Sequence, residues 1–319
     1  MSKEEFFPRP EANLSDVSRY SIRDRFSKVN TGTFAEVPVK NRSFLDFFDA
    51  LPNILNTKQF KRFTDNLIEA KRSGDPLFWS MGGHVIKVGL APVLIELIKK
   101  GWVQGLVMNS AASIHDSEIA RFGNTSEDVN EAIRDGSFGM ARETSVEYIK
   151  ALKDGYSKDL GWGESMALWL SSINTKTSEY SVLKACWDYK IPVTVHGALG
   201  TDIIWQHPEL NGEIIGKLGE RDFKKLIELL KNLEGGAFIN FGSAVILPEV
   251  FLKAFTCARN LGAKIEKFTS ANFDQIQHYR PRVNILDRPT SSGGSKFAFT
   301  GHHEFLMPLL AQVLIEKGS

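Results

Sequence analysis

Seven histidines carry most of the reactive potential of this chain: His84, His115, His196, His207, His278, His302 and His303. Nearly all sit at or just after the end of a short apolar run, where a strand gives way to a loop. Asp116, Asp202, Asp274 and Glu304 share those loops. Imidazole, with an ordinary pKa of about 6.5, is suited to taking a proton from an amine near neutral pH. A nearby carboxylate orients such a ring or holds a substrate cation. A single histidine is adequately explained as a solvated or satisfied residue, but several along one edge predict a histidine-lined site. On this reading Asp274 and Glu304 are candidates for holding cationic groups, and His302 or His278 for the general base. His302-His303-Glu304 also has the composition of a metal cluster. Adjacent residues rarely both reach one ion, and neither HExxH nor His-x-His spacing occurs, so no metal ligand is assigned.

The elements that must position these groups are clearest from Pro76 to Asp116. Leu77-Phe78-Trp79 is an apolar run that stops at Gly82-Gly83-His84. Helix-period residues follow (Leu90, Val93, Leu94, Leu97, Ile98), closing at Gly101. A second buried run, Val103 to Met108, stops at Asn109-Ser110-Ala111-Ala112-Ser113. Strand, glycine turn, helix and strand make a βαβ unit, whose parallel strands deliver their loops to one sheet edge. Open α/β folds bind ligands at that edge, and small residues there let backbone N–H groups approach a phosphate. Further strands are expected at Val193–Leu199, Ala237–Phe241, Ile265–Thr269 and Phe297–Thr300, alternating with helices. The spacing predicts a Rossmann-like, doubly wound, mostly parallel sheet: an α/β domain over 43–319, preceded by an N-terminal arm over 1–42.

Composition excludes several classes. A formal net charge of +1 leaves no basic excess for a nucleic-acid partner. No apolar run approaches a membrane span, and the start of the chain has no apolar signal core. With Cys186 and Cys257 as the only cysteines, a disulfide framework is absent and a reducing, cytoplasmic setting is expected. The GxGxxG fingerprint, the phosphate loop and the GxSxG elbow are all missing.

Taken in order, these strand-end motifs resemble deoxyhypusine synthase and its bacterial relatives, within a wider NAD-binding fold. The resemblance covers roughly residues 76–310. It runs through GGHVIKVGL, WVQGLVMNSAASIHD, Gly200-Thr201-Asp202, Phe273-Asp274, Arg280-Pro281 and HHEFLMPLL. It implies an NAD site formed by Gly83, His84, Ala111, Ala112, Ser113, Thr201, Asp202, Thr269, Ser270 and Ala271. In that family NAD takes hydride from an amine such as spermidine, and the aminobutyl part passes to a lysine. The family also forms tetramers with sites between subunits, so a homo-oligomer, tetramer or dimer, is implied here. The catalytic lysine has no counterpart: the corresponding segment reads Asn284-Ile285-Leu286-Asp287-Arg288-Pro289-Thr290. A guanidinium cannot form the covalent imine. The expectation is therefore an NAD-binding enzyme for a small cationic or polar substrate, performing amine dehydrogenation or aminoalkyl transfer instead of deoxyhypusine synthesis. Two alternatives from other classes are a ligand-binding protein without chemistry and a histidine-rich metal-dependent hydrolase.

Overall fold

The computed structural model describes residues 10–318. Six strands form one sheet: β1 (Leu77–Met81), β2 (Gly105–Asn109), β3 (Val193–His196), β4 (Ala237–Phe241), β5 (Thr269–Asp274) and β6 (Ser295–Thr300). Their order is β3-β2-β1-β4-β5-β6, and every neighbouring pair is parallel. This is the doubly wound arrangement, with its strand order reversing between β1 and β4, where the loops part and a ligand can enter.

The helices are α1 (Phe44–Ala50), α2 (Leu55–Ser73), α3 (His84–Lys87), α4 (Ala91–Lys99), α5 (Ser110–Phe122) and α6 (Val129–Asp135). They continue with α7 (Arg142–Ser157), α8 (Trp162–Ser171), α9 (Val182–Asp188), α10 (Gly212–Leu230), α11 (Ile246–Asn260) and α12 (His303–Lys317). Strand alternation divides the core. Leu77, Trp79 and Met81 face the larger cluster with α2, α4 and α12, whereas Phe78 faces Leu226, Leu230 and Phe251 of α10 and α11. No helix among the described residues is long and apolar enough to cross a membrane.

Near the carboxyl end, the face toward α11 turns polar. Ser80, Asn240 and Asn272 lie opposite one another in register and are fully buried. The Ser80 hydroxyl donates to Asn240 Oδ1 at 2.8 Å, and Asn240 Nδ2 donates to Asn272 Oδ1 at 2.7 Å. Asn272 Nδ2 then donates to Gln277 Oε1 at 2.8 Å, and Gln277 Nε2 to the Phe299 carbonyl at 3.0 Å. Each amide is satisfied, as burial at this depth requires.

β3 is an edge strand, so some of its N–H groups have no strand to pair with. Asp222 of α10 fills that place: its Oδ2 accepts from Val195 N at 2.7 Å and from Gly163 N, at the start of α8, at 2.8 Å. Asp222 is fully buried, and Oδ1 has no partner. Burial raises its carboxyl to about 7, against the pull of these two bonds.

Several expected boundaries move. Ala111, Ala112 and Ser113 belong to the first turn of α5, because Asn109 caps that helix through Ala112 N at 2.9 Å. Asp116 and His115 therefore lie on a helix and not in a loop. The fifth strand starts at Thr269 instead of ending there. In the arm, residues 10–42 are mostly exposed and contain two short 3₁₀ turns, Ile22–Asp24 and Thr31–Thr33. The first nine residues of the arm lie outside the described residues.

Candidate functional site

The turn after β1 is the hinge of the site. Gly82 N donates to the Phe241 carbonyl at 2.9 Å, so the chain crosses to β4 with almost no clearance. A Cβ on Gly82 would stand 2.9 Å from the Gly242 carbonyl oxygen. A Cβ on Gly83 would stand 3.0 Å from His115 Cδ2 and 3.4 Å from Ala111 Cβ. One side of this turn faces β2 and β3, the other faces β5 and β6.

On the β2–β3 side lies a cavity of about 600 Å³, within the range of roughly 300–1,000 Å³ common to small-ligand sites. Ala111, Ile114, Thr201, Asp202 and Ile203 contribute to its walls, and Lys87 reaches it from α3. Asp202 accepts a hydrogen bond from Ser110 Oγ, and burial raises its carboxyl despite that bond. Glu118, three residues after His115 on α5, also lines the cavity. Glu118 Oε1 accepts from Thr144 Oγ1 at 2.8 Å and Oε2 accepts from Thr125 Oγ1. His115 Nδ1 is 2.7 Å from that same threonine hydroxyl and 3.8 Å from Glu118 Oε2. Burial opposes the Glu118 charge, but the side chains of His115, Thr125 and Thr144 outweigh it and hold the carboxyl below its ordinary range.

On the β5–β6 side, His303 at the start of α12 turns inward. It is 1% exposed, its ring centroid is 5.8 Å from that of His84 and 5.8 Å from that of Phe241. Its Nδ1 is buried without a partner, and so is Asp274 Oδ2 at the end of β5. Burial holds the His303 imidazole below its ordinary value, while the Asp274 carboxylate pulls the other way. Neutral at neutral pH, it is ready to accept a proton. Gln275 Nε2, next to Asp274, lies 3.4 Å from His84 Nε2.

The expected residues thus divide. Gly83 and His84 form the hinge, and Ala111, Thr201 and Asp202 line the cavity. Ala112 and Ser113 are turned into the core, where the Ser113 hydroxyl bonds to Tyr148. Thr269, Ser270 and Ala271 are not at the ligand edge: they open β5 at the opposite end of the sheet. Their polar groups are spent there, Thr269 on Asn66 at 3.1 Å and Ser270 on the Ile285 carbonyl at 2.7 Å. Asp116 is buried and caps α9 through Val182 N and Leu183 N, so it reaches neither imidazole nor ligand. His278 is exposed, and His302 is exposed beside Glu304, its Nδ1 3.7 Å from Glu304 Oε1. His196 is buried against Thr194, and His207 Nε2 meets the Gly139 carbonyl at 2.8 Å. Sequence reasoning singled out neither Glu118 nor, of the two adjacent histidines, the buried His303. Their signals were the i, i+3 spacing from His115 and the inward phase of the residue after a helix cap.

Pro281–Asp287 forms a π-helical turn that buries Ile285 and Leu286 and ties Asn284 Nδ2 to Glu249 Oε1 at 3.0 Å. No lysine stands in this turn. Among the described residues, no group of three or more His, Cys, Asp or Glu is placed to hold a metal ion.

The tightness of the hinge has a measurable cost. Gly242 has φ +68°, and a Cβ there would stand 2.6 Å from His303 Nε2. Gly242→Ala is expected to destabilise the fold by about 1–3 kcal/mol, from left-handed strain and overpacking together. An unchanged thermal midpoint would contradict the geometry of the hinge.

No protein-family model and no curated protein matches the chain. Among solved structures, AgrE in complex with L-arginine is 18% identical over 82% of this chain and 33% of its own, with a TM-score of 0.51. A conserved protein from Methanococcus maripaludis S2, assigned to LOR/SDH, is 16% identical over 89% of this chain and 73% of its own, also at 0.51. A protein from Entamoeba histolytica assigned as a deoxyhypusine synthase is 11% identical over 86% of this chain and 93% of its own, at 0.49. The chain spans about a third of the length of AgrE. Identities this low speak to architecture alone: the chain has the doubly wound α/β fold of the LOR/SDH protein and of the matching third of AgrE.

Proposed function

We propose that this chain is an NAD-binding enzyme acting on a small amine, by dehydrogenation or aminoalkyl transfer without a covalent lysine step. One observation carries the reading: the Gly82–Gly83–His84 turn lies between the residues of a ligand-sized cavity, Ala111 and His115, and His303, whose Nδ1, like Asp274 Oδ2, is buried without a partner. An unpaired buried carboxylate oxygen costs free energy unless a ligand meets it. A substrate ammonium is the natural complement for Asp274, and His303 is placed to take the proton that an amine nitrogen releases. The residues present fit a dinucleotide. The cavity is of ligand size, Lys87 reaches it as a cation for a phosphate, and Asp202 and Glu118 offer acceptors for hydroxyl groups. When bound, NAD supplies a hydride acceptor. The chain's own residues hold the amine at Asp274 and move its proton at His303. AgrE has also been solved with ornithine and NAD+, a pairing of amine and dinucleotide in that protein. The exposed Tyr20, Phe26 and Phe34 of the arm are in keeping with a homo-oligomer.

Calorimetry on the purified protein tests the reading. Saturable NAD binding is expected, tightened in the presence of spermidine, agmatine or putrescine. Absence of any NAD binding would remove the enzyme reading and leave the fold alone.

A further inference from the structure

A second cavity, of about 220 Å³, lies between α11 and the chain that follows the π-helical turn. Leu252, Phe255, Thr256 and Pro289 line it together with two arginines, Arg259 and Arg288, and no acid does. Both guanidinium groups are held in place. Arg259 stacks on Phe255, 4.5 Å from the ring centroid, and its Nε and Nη2 donate to the Ile265 carbonyl, with Ser292 Oγ 3.3 Å from Nη2. Ile265 and Ser292 stand just before β5 and β6, so this cavity is at the opposite end of those strands from His303 and Asp274. Arg288 Nη1 donates to Asn284 Oδ1 at 2.9 Å, and Asn284 is tied in turn to Glu249. The nearby acids are engaged elsewhere: Glu249 pairs with Lys253 and Arg280, and Asp287 with Lys296. Among the described residues, Nη1 of Arg259 and Nε and Nη2 of Arg288 keep their N–H groups unspent.

We propose that this cavity binds a small dianion with a short apolar body, a phosphomonoester or a dicarboxylate. Guanidinium groups stay protonated, so two of them in one concavity without an acid leave two positive charges for a ligand to meet. Their planar forks match the oxygens of phosphate and carboxylate, and forks already fixed by Ile265 and Asn284 lose little freedom on binding. Leu252, Phe255 and Pro289 offer apolar surface to the ligand's carbon skeleton. The volume falls below the roughly 300–1,000 Å³ of drug-sized sites, which limits the ligand to a few carbons or one ring. The inference stands apart from the dinucleotide reading, because the two cavities share no residue.

The test is calorimetry on the full chain at physiological salt, with phenyl phosphate and succinate as the probes. Wild type is expected to bind at least one of them saturably, in the millimolar range or tighter. Binding of phenyl phosphate alone assigns a phosphomonoester, and binding of succinate alone a dicarboxylate. Arg288→Gln, at an exposed position, should weaken the binding by about 10- to 100-fold, the worth of a hydrogen bond to a charged group. Arg282→Gln changes the net charge equally on the same turn but outside the cavity, and should leave the affinity nearly unchanged because its exposed charge is screened. Saturable binding of neither probe overturns the proposal. So does undiminished affinity in Arg288→Gln, or an equal loss in Arg282→Gln, which would make the attraction a matter of net charge.

Discussion

His303→Gln is expected to lower amine-dependent NAD reduction by about 10²- to 10⁴-fold, the usual worth of a positioned general base. NAD affinity should change by no more than a few fold, because His303 lies on the β5–β6 side of the hinge and outside the cavity. Glutamine approximates the volume of imidazole and is the variant of choice where alanine would leave a void beside Phe241 and Gly242. Asp274→Asn should act differently, raising the KM for the amine as the ammonium loses its counter-charge. His302→Ala should stay near wild-type turnover, since that ring is exposed beside Glu304. Steady-state rates with calorimetry separate the roles. Full turnover in His303→Gln, or a loss confined to the His302 variant, would move the base back to the exposed residue.

The second large effect concerns the edge of the sheet. Asp222→Ala leaves the buried N–H groups of Gly163 and Val195 without an acceptor, at an expected cost of about 2–4 kcal/mol. Asp222→Asn keeps one acceptor oxygen and should cost less. The pH dependence is diagnostic. The Asp222 carboxyl is raised from its ordinary 3.8 to about 7 in the fold, so between those values the folded state holds a proton that the unfolded state has released. Stability therefore falls as pH rises through this window, and the contribution is lost once pH passes about 7. Asp116, raised to about 6 by burial, adds a slope of the same sign at its lower end. Urea melts across pH 4–8 should show a flatter profile for Asp222→Asn than for wild type. Parallel profiles would mean that Asp222 is charged in the fold throughout.

Much of the scaffold is written plainly in the chain. Leu77–Met81 and Ala237–Phe241 are apolar runs closed by glycine, and the sheet, its parallel sense and the ligand edge follow from such runs. The fifth strand hid because its residues are small and polar: Thr269-Ser270-Ala271-Asn272 has a loop's composition. These side chains are buried only because Asn66, Ile285 and the buried amides supply partners, and partners distant in sequence leave no local signal. The site was half legible. Strand ends marked His84, Asp202 and Asp274, since a ligand edge is a property of topology. The choice between His302 and His303 depends on one residue of helix phase, and Glu118 became visible only when Asn109 was seen to cap α5 and turn an expected loop into a helix. The missing lysine, by contrast, was legible at once, because absence of a residue type needs no geometry.

The row of amides beneath the site has a direction. From Ser80 to Phe299 every donor points the same way, from β1 toward β6, with one further bond from Asn240 to the Ser243 carbonyl at 3.0 Å. Such a row cannot reverse: it ends on the Phe299 carbonyl, which only accepts, and turning any one amide sets acceptor against acceptor or donor against donor. The row thus behaves as a rectifier for hydrogen-bond polarity, fixed when the chain folds. Any adjustment to a ligand at this sheet edge then falls to the loops that follow the strands, while the amide row keeps one orientation.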